Sequence, residues 1–152
     1  MKTSTEIMKE LVGEHEAILA YMHSLTKLAE NLIAQPAPAK ERLWNYNCRL
    51  YDFKDAIWYH LEVDERVFKA ILGDAYEEDP CTEHEEIQRL VNDMILIADN
   101  AVIDKLEKAQ LNEYCAKLGS AFDRICKLIE LHIAKENAIL ERVQHALNHQ
   151  LV

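Results

Sequence analysis

The string E-H-E-x-I occurs twice in this 152-residue chain, and each copy is followed, after a long helical stretch, by a histidine with an acidic residue four positions later. The first set is Glu14-His15-Glu16-Ala17-Ile18, then His60 with Asp64; the second is Glu83-His84-Glu85-Glu86-Ile87, then His132 with Glu136. Four imidazoles and two carboxylates in duplicated order are what a four-helix bundle needs to hold two metal ions in its core. Such a donor set suits iron, manganese or zinc better than calcium or magnesium.

Residues four apart on a helix differ by only about 40° around its axis, so each His-x-x-x-acid pair projects from one face. His132 and Glu136 fall on the stripe of Leu118, Phe122, Ile125, Leu128, Ile129 and Ile139, and His60 and Asp64 share a face with Phe53, Ile57, Val67 and Ile71. Glu65 lies roughly 140° from His60 and is expected to point outward or sideways. His15 sits among Leu11, Val12, Leu19 and Met22, and His84 among Ile87, Val91 and Ile95, so all four histidines are expected to aim inward. An unpaired ionised carboxylate in an apolar interior protonates or finds a partner. With no inward Lys or Arg at neighbouring positions, a pair of cations would supply the missing charge. Acidic residues are roughly 18% of the chain, so its 7 histidines yield about one His-x-x-x-acid pair by chance. The competing reading is therefore a hydrogen-bonded polar core in a metal-free structural bundle. Duplication, orientation and one inward histidine per helix favour metal.

The elements that must position these groups are helices. Only 3 Gly and 3 Pro are present and hydrophobic residues make up 49% of the chain, which fits a helical protein with a sizeable core and not a turn-rich β protein. Thr3-x-x-Glu6 reads as a capping box opening a first helix over about 4–34, closed by the linker Gln35-Pro36-Ala37-Pro38. A second helix is expected over about 39–72, ended by Gly73-Asp74. Asp79-Pro80 and a second capping box, Thr82-x-x-Glu85, start a third over about 80–99, and a fourth occupies about 109–147. The segment 101–110 reads equally as a loop or as an overrun of either neighbour. The expected fold is all-α: a single domain over 1–152, folded as an up-down-up-down antiparallel four-helix bundle. The similar separations of His15 from His60 and of His84 from His132 indicate a pseudo-twofold repeat.

A formal charge of −10 argues against nucleic acid and anionic membrane surfaces as partners. Cys48, Cys81, Cys115 and Cys126 form no C-x-x-C pair and read as reduced, mostly buried thiols. With no apolar leader and no long apolar run, a cytoplasmic protein is expected, and a homodimer is compatible with the chain.

Taken in order, E-H-E-A-I at 14–18, H-L-E-V-D-E at 60–65, E-H-E-E-I at 83–87 and H-I-A-K-E at 132–136 resemble the hemerythrin-like HHE cation-binding domain over nearly the whole chain. The resemblance implies a non-haem di-iron centre, with manganese or zinc as alternatives, held by His15, His60, Asp64, His84, His132 and Glu136. It further implies terminal histidines, bridging carboxylates and an oxo or hydroxo bridge. Two departures stand out: Asp64 replaces the family's usual Glu, and the positions one turn either side of His84 are Pro80 and Gln88 instead of a second histidine. The chain thus looks like the six-ligand branch, which includes domains associated with nitric oxide response and repair of damaged iron centres. The function this implies is binding or sensing of dioxygen or nitric oxide, or service in iron-centre repair. The alternatives are a di-iron enzyme reducing oxygen, peroxide or nitric oxide, and the metal-free bundle.

Other polar residues are set aside. His23 lies about 80° from the direction of His15, and His145 with His149 falls off the Glu136 face, near a helix C-terminus whose dipole they complement. Tyr59 points elsewhere. Tyr46, Tyr114 and Gln88 are expected to face inward, with packing preferred to ligand binding as their role.

Overall fold

The computed structural model describes residues 1–34, 40–73 and 83–150. Every regular element among them is helical: α1 (Ser4–Ala34), α2 (Lys40–Leu72), α3 (His84–Ile97), the single turn α4 (Asn100–Ile103) and α5 (Lys108–Gln150). The Thr3 capping box forms as its spacing predicts. The Thr3 amide donates to Glu6 Oε2 at 2.9 Å and the Glu6 amide donates to Thr3 Oγ1 at 3.1 Å, satisfying two donors that a helix start leaves open. At the far end of α2, Gly73 takes φ +53°, the left-handed conformation that closes a helix without a Cβ penalty. The linker at 35–38, Asp79-Pro80 and Thr82 lie outside the described residues. Glu83 is the N-cap of α3 and makes no side-chain capping bond, so Glu85 and Glu86 favour this end through their charge near the helix dipole.

The ambiguous stretch after α3 resolves into a break, one turn and a bend. Ala98 and Asp99 leave the helix, Asp99 Oδ1 accepts from the Ala101 amide to start α4, and Gln110 Oε1 accepts from the Glu107 amide ahead of α5. The carbonyls freed at the break are taken by side chains from other helices. Tyr114 donates its hydroxyl to the Ile97 carbonyl, and Tyr51 donates to Ala98 O at 3.1 Å. The buried Asn47 amide donates to Asn100 Oδ1 at 3.0 Å. α3 therefore stops earlier than an apolar period alone indicates, because tertiary partners satisfy its end.

The long helices pack as a ring, α1 on α2, α2 on α3, α3 on α5 and α5 on α1, while α4 rests on α2. Their inner faces bury two apolar clusters. The larger includes Leu25, Leu50, Phe53, Ile57, Val91, Met94, Leu118, Phe122 and Ile129; the smaller holds Met8, Leu11, Phe68, Ile139 and Leu140. Phe53 and Phe122 meet edge to face at 5.5 Å, a geometry contributing about 0.5–1.5 kcal/mol beyond area burial. Between the clusters along α1, α2 and α5, and at the first residue of α3 ahead of Ile87, fall the polar residues of the duplicated motif. No helix among the described residues is long and apolar enough to cross a membrane.

Candidate metal centre

Each long helix brings its histidine to the axis at the junction of the two apolar clusters. His15, Asp64 and Glu136 are completely buried, His132 is 1% exposed, and His60 and His84 are 3% exposed. The six residues form two overlapping groups, His15, His60, Asp64 and Glu136 in one and Asp64, His84, His132 and Glu136 in the other, with donor atoms all within 4.8 Å of one another in each group. Both carboxylates belong to both groups. The two imidazole pairs repeat one geometry: His15 and His60 have ring centroids 4.9 Å apart and planes at 72°, His84 and His132 are 4.8 Å apart at 70°. This is the pseudo-twofold relation suggested by the duplicated spacing.

The inward atoms are close without being paired. His15 Nε2 lies 3.6 Å from Asp64 Oδ1 and 3.3 Å from Glu136 Oε1, and His132 Nε2 lies 3.0 Å from Glu136 Oε1. Asp64 Oδ2 is 3.1 Å from His60 Nε2 and 3.6 Å from both His84 Nε2 and His132 Nε2. Nevertheless His15 Nε2, His60 Nε2 and both oxygens of Asp64 and Glu136 make no hydrogen bond, since each contact is too long or lacks the geometry for one. Donors about 2.1 Å from a shared ion are ~3.0 Å apart at right angles and ~3.4 Å apart tetrahedrally. The observed spacing is that of ligands around common points, and orphaned buried carboxylate oxygens are otherwise costly. The residues present fit a metal ion. Every ion-pair contact of Asp64 and Glu136 among the described residues is with a histidine, so no lysine or arginine neutralises them.

The outward nitrogens tell the complementary half. His60 Nδ1 meets Glu14 Oε1 at 3.3 Å, His84 Nδ1 meets Glu65 Oε1 at 3.1 Å, His132 Nδ1 meets Glu83 Oε1 at 3.4 Å, and His15 Nδ1 meets Asn137 Oδ1 at 2.6 Å. An acceptor behind Nδ1 fixes the tautomer that leaves the Nε2 lone pair facing inward, the usual arrangement of metal-bound histidine. The four acceptors follow one rule. Each is the sequence neighbour of a motif residue on its own segment and reaches the histidine of the next helix around the ring: α1 to α2, α2 to α3, the start of α3 to α5, and α5 to α1. Sequence reasoning gave these four residues no role. Glu65 is indeed 59% exposed, as its angle predicts, yet it still reaches His84. Their common signal is adjacency to a motif residue in both halves of the repeat.

Protons compete for the same donors. Burial lowers the His15 pKa, but Asp64, Glu136 and Asn137 together outweigh it and raise the value to about 10. His132 is likewise lowered by burial and raised, on balance to about 9, by Asp64 and Glu136 against opposition from His84. Burial would raise the Asp64 carboxyl, but the four imidazoles within 3.1–3.6 Å of its oxygens, His132 foremost, hold it far below the usual carboxylate range. The cluster therefore demands positive charge at its centre.

Residues set aside from the sequence stay outside the cluster. His23 is exposed beside a groove between α1 and α5, and His145 and His149 are exposed, with His149 Nδ1 3.0 Å from the His145 carbonyl. Tyr114 serves the α3–α4 break, Tyr46 is buried in the larger apolar cluster, and Gln88 is half-buried. Cys115 and Cys126 are buried, and burial pushes the Cys126 thiol up to about 12; Cys48, on an outward position of α2 beside the inward Asn47, is exposed. Cys81 lies outside the described residues.

Searches against protein-family models, curated proteins and solved structures return no match to this chain.

Proposed function

We propose that the chain is a hemerythrin-like protein whose bundle holds a non-haem di-iron centre that binds or senses a small diatomic ligand, dioxygen or nitric oxide. The observation that carries this reading is the division of labour among the ring atoms. Outward nitrogens all have acceptors, whereas the inward nitrogens and carboxylate oxygens converge within 4.8 Å and lack hydrogen-bond geometry toward one another for six of those atoms. His15 and His60 would hold one ion and His84 and His132 the other, with Asp64 and Glu136 shared. An iron pair bound there supplies redox-active centres with coordination positions left open for a small ligand.

The chain's own contribution is to position and to exclude. Apolar clusters on both sides of the site keep bulk water from the donors, which strengthens their electrostatic hold on a cation. The acceptors behind Nδ1 keep each imidazole oriented without motion of the helices. An up-down-up-down course is supported by the smaller cluster, where Met8 and Leu11 near the start of α1 meet Phe68 near the end of α2 and Leu140 late in α5. A metal-free structural core is disfavoured by the same orphaned oxygens, since such a core is built to satisfy its polar atoms.

The test is elemental analysis of protein purified anaerobically under reducing conditions, followed by absorption spectra before and after addition of dioxygen or nitric oxide. Two irons per chain and a stoichiometric new absorption band are expected. Protein free of metal after growth in iron-replete medium would sink the reading. Continuous consumption of peroxide or nitric oxide would move it to an enzyme.

A further inference from the structure

We propose that the two metal positions are unequal: the ion held by His84 and His132 is bound more tightly, and the ion held by His15 and His60 is the weaker one. The inference rests on the dimetal reading above and concerns the residues behind the histidines. Under the pseudo-twofold relation, Asp64-Glu65 corresponds to Glu136-Asn137. Glu65 therefore stands behind His84 at 3.1 Å where Asn137 stands behind His15 at 2.6 Å. One backing group is an anion and the other a neutral amide.

The difference acts through the ring. An imidazole that gives its lone pair to a cation develops positive charge, and a carboxylate at its far nitrogen stabilises that charge where an amide oxygen does so far less. The other corresponding pair, Glu14 behind His60 at 3.3 Å and Glu83 behind His132 at 3.4 Å, is matched in type and nearly in distance. Lys135 draws on the same Glu83 oxygen at 3.2 Å, but its side chain is 62% exposed and its effect is screened. Solvent also reduces the influence of the half-exposed Glu65, which places the expected effect toward the low end of the ~10–100-fold range for loss of such a partner.

Solvent does not separate the two sides. Asn137 lines two grooves along the α1–α5 seam, one of about 530 Å³ with Met8, Val12 and Leu140, the other of about 620 Å³ with Leu19, Thr26 and Cys126. Glu65 is itself 59% exposed, so solvent nears both backing groups and the inequality rests on their difference in charge.

The experiment is an anaerobic calorimetric titration of ferrous iron into metal-stripped full-length protein, comparing wild type, Glu65→Gln and Asn137→Asp, with His60→Ala and His132→Ala to assign each step. Folding of every variant is checked by far-ultraviolet circular dichroism. Two steps are expected in wild type, the first lost in His132→Ala and retained in His60→Ala. Glu65→Gln, an exposed and nearly isosteric change, is expected to weaken the first step about 10-fold and leave the second unchanged. Asn137→Asp is expected to tighten the second step by a similar factor. A merely structural role would not move one step in one direction and the other step in the opposite direction. Retention of the first step in His132→Ala with its loss in His60→Ala would overturn the inference, as would unchanged affinities in both Glu65→Gln and Asn137→Asp. Those results still leave two bound ions, whereas wild type that binds no iron overturns the dimetal reading itself.

Discussion

Nε2 of His84 lies 3.1 Å from Nε2 of His132 across the core, and both rings have a glutamate behind Nδ1. Two N–H groups cannot point at each other over that distance, so at most one ring of this pair carries an Nε2 proton. Without an ion, the helices thus leave a single proton to be shared by two nitrogens beside Asp64, and His132 Nε2 also stands beside Glu136. Such an approach is unfavourable until a cation or a shared proton occupies the space between them.

Metal binding is accordingly expected to displace protons. His15 is raised to about 10 and His132 to about 9, so both are protonated at pH 7 and must lose a proton to become ligands. About one proton should be released per ion, two in all, so the association constant of each step should rise roughly 10-fold per pH unit between about pH 7 and 9. Calorimetry of zinc or ferrous binding in two buffers of different ionisation heat measures the number directly. Binding heats independent of the buffer would show that the imidazoles are already neutral.

Removing a ligand should be distinguishable from removing a bystander. His60→Ala and His132→Ala are each expected to lose metal and with it the stabilisation that binding provides, about 2.7 kcal/mol at a free-ion concentration of 100 times Kd. His23→Ala changes only an exposed groove residue and should retain both. Melting temperatures with and without added iron give the comparison. Equal metal retention in all three variants would remove the assignment.

How far the chain could be read from its residues varies along it. The long helices and the Thr3–Glu6 cap are legible because they are set by local chemistry, apolar period and a side chain reaching three residues away. The end of α3 is not, since its carbonyls are captured by Tyr51 and Tyr114 from other helices. The residues of the buried cluster stand out through duplication and inward phase. Their supports do not, and the reason is geometric. A residue one position from an inward ligand is turned about 100° from it, which reads as outward on an isolated helix. In a ring of helices that direction points along the seam to the neighbouring helix, which is how Glu14 reaches His60 and Asn137 reaches His15. Asp64 is a further case. One methylene shorter than glutamate, it still brings oxygens within 3.1–3.6 Å of all four histidines.

The α3–α4 break offers a control away from the centre. Tyr114→Phe deletes the hydroxyl that donates to the Ile97 carbonyl and accepts from the Asp99 amide at 3.1 Å. The loss should cost about 0.5–1.5 kcal/mol, the net worth of one hydrogen bond, since the Ile97 carbonyl still accepts from the Asp99 amide at 2.8 Å. Metal stoichiometry should not change. Chemical denaturation beside iron analysis of the same preparation tests both halves, and loss of iron without loss of stability would contradict the separation of the two regions.

Asp64→Asn should separate the charge of the buried carboxylate from its shape, and its effect on metal-stripped protein should reverse with pH. His15 and His132 have folded values of about 10 and about 9 against an ordinary 6.5, so their contribution to stability is complete below about pH 6.5 and lost as pH rises through those folded values. Asp64 is depressed from 3.8, so its contribution is present above about pH 4 and fades as the solution becomes more acidic. Stability of the stripped protein should therefore be greatest between about pH 4 and 6.5. At pH 6 the Asp64 charge is matched by protonated imidazole, and its removal breaks a buried pair at a cost of about 3–5 kcal/mol. Near pH 10 the imidazoles are losing their protons, and the wild-type carboxylate becomes a buried anion with no counter-charge. The neutral amide then carries no such penalty, so the gap between the two proteins should close or change sign. Guanidinium denaturation midpoints at pH 6 and pH 10 decide the matter, and a gap of the same size at both would mean that the histidines do not compensate Asp64.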